Sequence, residues 1–236
     1  MYTIKKKISI VIPIFNEELN ISNLLTELNN ALIIIKDLAF EIIIVDDASI
    51  DDSLVILNDL KKKFSNIKII ENKKNYGQSK SIYKAILKAK YKTIVTLDGD
   101  GQNDPKDIDK LLFEYFNFDN IKLVGGLRVN RKDSVLKIFS SKIANQVRSF
   151  ILKDNCRDTG CALKVFDRDV FLTFPFFDGI HRFLPALFLG FGYQTKYIAV
   201  SHRKRLYGTS KYGTLKRLVN GLLDIIKVKS IIKKNK

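Results

Sequence analysis

Short β-branched runs alternate with stretches of helical periodicity through the first half of the chain, and this alternation limits the possible folds more than any other feature. The runs are Ile8–Ile14, Glu41–Val45, Ile67–Ile70, Thr93–Leu97 and Ile121–Leu127. Between the first two, Ile21, Leu24, Leu25, Leu28, Leu32 and Ile35 fall on one helical face. Further helices are expected over Asp52–Phe64, Ser79–Ala89 and Pro105–Phe116. This order predicts an α/β fold with a mostly parallel sheet covered on both faces. Ligands of such sheets sit at the carboxyl ends of the strands. Beyond the fifth run the spacing predicts a helix over about 133–151 and a strand Ala162–Phe166. An aromatic-rich segment, Phe171–Tyr193, a strand Thr195–Val200 and a basic loop Ser201–Thr214 follow. The final segment puts Leu215, Leu218, Val219, Leu222, Leu223 and Ile226 on one face.

The polar clusters lie where a ligand would. After the fourth run come Asp98-Gly99-Asp100-Gly101-Gln102-Asn103-Asp104-Pro105. Two carboxylates one residue apart repel each other unless a cation sits between them, and a hard divalent ion takes oxygen ligands. A metal carrying a phosphate-bearing substrate is the expectation, with Asp104 as N-cap and Pro105 as first helical residue. An EF-hand reading fails: the sixth loop position is Asn103 where glycine is required, and a strand precedes the loop. No Gly-x-Gly-x-x-Gly and no Walker loop occurs, which argues against a dehydrogenase and a P-loop enzyme. Asp46 and Asp47 close the second run and suit a ribose hydroxyl or base N–H, while Ser49 or Asp51 is expected to cap the next helix. Asn75-Tyr76-Gly77-Gln78 reads as a cap. Arg128 ends the fifth run at the ligand edge, and the loop His202–Gly213 sets four cations around two glycines, suited to phosphate.

Charge is distributed unevenly. The net charge is +16 over 236 residues, but residues 1–120 hold 17 Lys/Arg against 18 Asp/Glu, and residues 121–236 hold 24 against 7. A polyanionic partner is expected for the second half. Nucleic acid is the non-enzymatic alternative; it leaves the Asp98/Asp100 pair unexplained, so no nucleic-acid partner is expected. Two cysteines and two histidines are too few for a disulfide framework or a zinc site. The longest uncharged window, Phe183–Thr195, is too short to cross a bilayer. The N-terminal apolar run, broken by Pro13 and followed by Asn16-Glu17-Glu18, reads as a buried strand and not a signal peptide.

Taken in order, Ser9–Glu18, Val45–Ser49, Asn75–Gly77, Leu97–Gln102, Asp158–Cys161, Asp178–Phe183 and Arg205–Tyr212 resemble family 2 glycosyltransferases, most closely the dolichyl- and polyprenyl-phosphate sugar synthases. The resemblance implies a GT-A fold and inverting, metal-dependent transfer of a hexose from a nucleotide-diphosphate sugar to polyprenyl phosphate, with a sugar hydroxyl of a surface glycan as the alternative acceptor. By the same resemblance Pro13, Phe15 and Glu17 border the nucleotide, and Val45 and Asp47 contact the base. Asp98 and Asp100, with Gly99 between them and Gln102 assisting, hold Mg2+ or Mn2+. Arg128, Arg205 and Lys211 bind phosphates. Asp178 and His181 are the base candidates for a hydroxyl acceptor. Phe15 stands where relatives often have tyrosine, so a hydroxyl contact is lost there. A catalytic domain 1–214 and a basic amphipathic segment 215–236 are expected, the latter on an anionic membrane surface at the cytoplasmic face.

Overall fold

The computed structural model describes residues 6–129, 145–205, 207 and 214–235, with side chains in the last segment from residue 221 onward. Lys211 and most of the expected helix over 133–151 lie outside the described residues; a helical stretch covers 145–152. The strands are β1 (Lys6–Ile14), β2 (Leu38–Asp46), β3 (Ile67–Glu71), β4 (Thr93–Thr96), β5 (Ile121–Arg128), β6 (Lys164–Asp167) and β7 (Gln194–Val200). The helices are α1 (Glu18–Ile33), α2 (Ser53–Lys63), α3 (Gln78–Leu87), α4 (Asp107–Asn117), α5 (Arg168–Thr173), α6 (Ile180–Gly190) and α7 (Thr214–Lys234).

One seven-stranded sheet runs in the order β3-β2-β1-β4-β6-β5-β7. Among these strands β6 alone is antiparallel to its neighbours. From β1 the chain winds outward through β2 and β3, then returns to place β4 on the other flank of β1. Such a reversal leaves a crevice outside the strand ends, where α/β sheets bind ligands. The segments after β1 and β4 both open into it.

The strands read as near-continuous apolar runs because both faces are covered. Ile8, Ile10 and Ile12 of β1 pack in a layer with Ile21, Leu25 and Leu28 of α1. Val11 and β2 residues Ile43 and Val45 pack in the opposite layer with Ile82 and Ile86 of α3 and the phenylalanines of α5 and α6. The aromatic-rich segment is therefore core. Phe174 meets Phe188 edge-on at 5.1 Å and Phe191 at 4.8 Å, while Phe166 lies 5.6 Å from Phe171 and 5.9 Å from Phe188.

One expectation changes. The helix after the acidic turn begins at Asp107. Asp104 Oδ1 instead accepts from the Lys106 N–H, closing a turn ahead of the helix. In α7 the face expected on the membrane surface is exposed at Leu222, Leu223 and Ile226, while Ile225 and Val228 are buried against the α6 layer. The side chains of Leu215, Leu218 and Val219 lie outside the described residues. The helix thus has two apolar stripes, and periodicity alone picks the outer one.

Phe188 is fully buried with three aromatic neighbours. Phe188→Ala is expected to cost about 3–5 kcal/mol, read as a fall in the chemical-denaturation midpoint. Phe113→Ala, at an exposed position of α4, is expected to leave the midpoint nearly unchanged.

Candidate active site

The floor of the crevice is made by two loops that complete each other's hydrogen bonds. The Asn16 N–H donates to Ser49 Oγ and the Ile50 N–H to Asn16 Oδ1. The Glu17 N–H donates to Ser53 Oγ, the Glu18 N–H to Asp51 Oδ2 and the Asp52 N–H to Glu18 Oε2. The first N–H groups of a helix lack intrahelical partners. Here the Glu18 N–H that opens α1 is met by Asp51 of the β2–α2 loop, and the N–H of Asp52, the N-cap of α2, by Glu18. Asp51 also accepts from the Ser53 N–H, but the N-cap of α2 is Asp52, whose side chain makes no capping bond, so neither Ser49 nor Asp51 is the cap expected for that helix.

Asp47 acts in the same way on the next loop along. Its carboxylate accepts from the Tyr76 and Gly77 N–H groups at 2.9 and 2.8 Å and from Asn72 Nδ2 at 2.7 Å. It anchors the loop that leads into α3, a segment whose sequence reads as a self-contained cap. Val45 is fully buried in the sheet layer, so its side chain does not face the crevice as expected of a base contact. Pro13 and Phe15 are half-buried at the end of β1.

The acidic turn packs directly on β1. A Cβ at Gly99 would stand 2.6 Å from Ile14 Cγ2 and 3.3 Å from the Pro13 carbonyl. Only glycine lets Asp98 and Asp100 sit this close to the end of β1. Asp98 Oδ1 accepts from Gln78 Nε2 at 2.8 Å, a partner from the first turn of α3. Its carboxyl is pushed up to about 7, first by burial and then by the Asp100 charge, against the pull of Lys164, Arg128 and Arg205. Asp100 Oδ1 accepts from the Gln102 N–H, and Asp100 Oδ2 lies 3.1 Å from Arg205 Nη2.

The segment after β7 straps across this turn. The Arg203 N–H donates to the Gln102 carbonyl, Gln102 Nε2 donates back to the Arg203 carbonyl, and Asn103 bridges to His202. Arg203 pairs with Glu27 of α1 at 2.5 Å and with Asp104 at 2.9 Å. Arg205 reaches both Glu17 Oε1, at 3.3 Å, and Asp100. Of the residues expected at the site, the structure therefore gathers Glu17, Asp98, Gly99, Asp100, Gln102 and Arg205 at one point. Gln102 ties the strap to the turn here.

A second group lies on the far side of Asp98. A cavity of about 100 Å3 runs from Asp98 and Gln78 to His181 and Arg182, with Lys164 in its wall. His181 Nδ1 is 2.7 Å from Ser79 Oγ, which also accepts the Gly179 N–H. Arg128 is held by Asp158 through two 2.7 Å bonds, so its guanidinium is committed to a carboxylate beside the site. Asp178 is exposed on the turn before α6. Sequence reasoning misses Gln78, Lys164 and Arg182 as site residues. Lys164 and Arg182 sit inside an apolar strand and an apolar helix; the available signal is the lone cation in each and, for Arg182, its place in the Asp178–Phe183 motif.

The donor set fits a magnesium- or manganese-type ion. Two carboxylates lie together and one is held toward its neutral form, by burial first and by its neighbour's charge second, and a divalent cation bound to both favours the ionised form. Among the described residues no cluster of three or more His, Cys, Asp or Glu could hold a metal unaided. An ion here would take the remaining ligands from a substrate diphosphate, the usual arrangement for Mg2+.

In metal-free protein Asp98 keeps its proton from the ordinary 3.8 up to about 7. The folded state then binds more protons than the unfolded chain across that interval, so this group's contribution to stability falls as pH rises from about 4 to about 7 and levels off above. Without divalent metal, Asp98→Asn is expected to melt no lower than wild type at pH 8, with any advantage shrinking toward pH 4. Added Mn2+ is expected to raise the melting midpoint of wild type and not that of the variant.

The model of "Glycosyl transferase family 2" matches residues 9–173. A dodecaprenyl-phosphate galacturonate synthase of Rhizobium johnstonii is 33% identical over 94% of this chain, which spans 66% of that protein. An undecaprenyl-phosphate 4-deoxy-4-formamido-L-arabinose transferase of Yersinia pestis is also 33% identical over 94% of the chain and 67% of its own length. The chain thus spans about two thirds of the length of these curated relatives. In fold it is similar to glucosyl-3-phosphoglycerate synthase of Mycobacterium tuberculosis in complex with Mn2+, UDP and glucosyl-3-phosphoglycerate: TM-score 0.70, 15% identity, covering 94% of this chain and 78% of that one. A mannosyltransferase of Pyrobaculum calidifontis in complex with GDP-Man and Mn2+ gives TM-score 0.66 at 16% identity, covering 98% and 69%. The sheet order, the acidic turn at its switch point and these matches agree: the chain belongs to glycosyl transferase family 2 and has the GT-A fold.

Proposed function

We propose that the protein is an inverting, divalent-metal-dependent transferase that moves a glycosyl group from a nucleotide-diphosphate sugar to a polyprenyl phosphate at a membrane surface. The observation that carries this reading is the meeting of Asp98, Asp100, Glu17 and Arg205 at the switch between β1 and β4. The names of the two sequence relatives support the lipid-phosphate acceptor. The complexes of the fold neighbours support a nucleotide sugar and Mn2+.

Departure of a nucleoside diphosphate places growing negative charge between the acidic turn and the strap. Asp98 and Asp100 would hold Mg2+ or Mn2+, which supplies charge neutralisation on the leaving diphosphate. Arg205 adds a guanidinium on the same side, and Lys211 belongs to this reading as a second phosphate-binding cation. Glu17 orients Arg205 from below, and Pro13, Phe15 and the Asp47-anchored loop border the nucleotide. A phosphate nucleophile is anionic at neutral pH and needs no strong base. A hydroxyl acceptor is the second reading, favoured by His181 at the cavity beside Asp98.

Membrane attachment belongs to the same reading, with a catalytic domain over 1–214 and a basic segment over 215–236. Among the described residues no helix is long and apolar enough to cross a membrane. The outer stripe of α7, Leu222, Leu223 and Ile226, is exposed beside Lys227 and Lys229. Such a face lies in the headgroup layer, held by apolar contact and by attraction to anionic lipid. The expected placement is the cytoplasmic face of the membrane.

Nucleotide release from a panel of UDP- and GDP-sugars is expected to require Mn2+ or Mg2+ and to rise when a short polyprenyl phosphate is added. Asp100→Ala is expected to lower it by about 10²–10³. Stimulation by an oligosaccharide in place of the lipid phosphate would move the assignment to the second reading. Leu222→Asp with Ile226→Asp is expected to release the protein from anionic vesicles in co-sedimentation, and so is high salt; retention in both would exclude α7 as the attachment.

A further inference from the structure

Arg182 lines the cavity beside Asp98 and is held there by a residue of the C-terminal helix: Arg182 Nη2 donates to Asp224 Oδ2 at 2.9 Å. Gly179 makes the room. Its φ is +96°, and a Cβ on it would stand 2.7 Å from Asp224 Oδ2 and 2.8 Å from Arg182 Nη2. The ion pair is thus built into the turn that starts α6, one residue from His181.

The acidic turn separates two spaces. Asp100 lines a cavity of about 420 Å3 under the strap, with Arg203 and Tyr207, and Asp98 lines the smaller one toward α6. In an inverting displacement the nucleophile reaches the sugar carbon from the side opposite the leaving group. Asp98 and Asp100 together face the diphosphate, and Lys164 and Arg182 are the cations lining the cavity on the α6 side, where an anionic nucleophile would be met. Lys164 is buried and its ammonium donates to the carbonyls of Thr159 and Cys161. Arg182 is the more accessible cation, its side chain 28% exposed. A guanidinium has five donors, more than a single carboxylate takes, and forks onto phosphate oxygens.

We propose that Arg182 receives the phosphate monoester of the acceptor in the cavity beside Asp98, and that Asp224 on α7 is the positioning residue that aims it. This rests on the lipid-phosphate reading above and names a residue for it. Asp224 is on the face of α7 turned to α6, away from the exposed stripe of Leu222, Leu223 and Ile226, so the helix that would meet the lipid surface with one face sets with the other the cation that meets the lipid's phosphate. The bond that forms joins an acceptor phosphate oxygen to the sugar carbon as the bond to the nucleoside diphosphate breaks; Arg182 moves no proton.

The test uses the full chain and direct binding, independent of any donor. Affinity is measured for a short polyprenyl monophosphate, for the matching polyprenyl alcohol and, by competition, for inorganic phosphate. Wild type is expected to prefer the phosphate over the alcohol. Arg182→Ala is expected to reduce that preference by about tenfold or more, with alcohol affinity unchanged. Arg182→Lys is expected to retain some of it. Asp224→Asn is expected to shift the preference in the same direction by less, and the double variant to match Arg182→Ala. Competition by inorganic phosphate that Arg182→Ala abolishes locates the recognition in the phosphate itself. An unchanged phosphate preference in Arg182→Ala, equal losses for phosphate and alcohol, or additive effects of the two substitutions would each overturn the inference. Failure of the function reading shows separately, as absence of glycosyl transfer from any nucleotide sugar to the phosphate by wild type.

Discussion

Two carboxylates pressed against the end of β1 set the electrostatics of everything around them. Gly99 lets the turn approach until Ile14 and Pro13 are in contact distance, and the cost is a pair of acids that cannot both ionise freely. The fold answers with cations placed on either side: Arg205 against Asp100, and Lys164 and Arg128 near Asp98. None of these removes the strain on Asp98, whose proton still comes off only near neutrality. A site with this residual demand for positive charge is suited to a ligand that arrives with a metal.

The cations are themselves restrained. Arg128 is fixed by Asp158, Arg182 by Asp224, Arg203 by Glu27 and Asp104, and Arg205 by Glu17. Holding a guanidinium with a carboxylate before the substrate arrives lowers the ordering cost at the moment of binding. The unevenness of charge along the sequence reflects this division: the first half supplies acids at strand ends, and the second half supplies several of the bases that face them.

The sheet is readable from sequence because parallel strands buried on both faces leave long apolar runs, and the helices between them keep one clean stripe each. The acidic turn is readable because Asp-x-Asp at a strand end has few purely structural uses. Other features are hidden by the same physics. Val45 is a base contact by resemblance alone, yet strand alternation turns its side chain inward. Asp104 looks like a helix cap, but its side chain closes a turn earlier and pairs with Arg203, a partner far along the chain. Lys164 has no local signature beyond its charge and Arg182 only its place in the Asp178–Phe183 motif: their meaning comes from β6 lying beside β4 and from α6 starting at Gly179. In α7 the spacing describes a stripe correctly and cannot say which of two stripes the core takes.

The reciprocal lacing of the β1–α1 and β2–α2 loops carries a consequence for how this fold can vary. Each loop is an incomplete turn whose missing acceptors reside on the other, so Asn16, Glu18, Ser49, Asp51 and Ser53 form a single unit of inheritance. Lengthening either loop would strand donors on its neighbour.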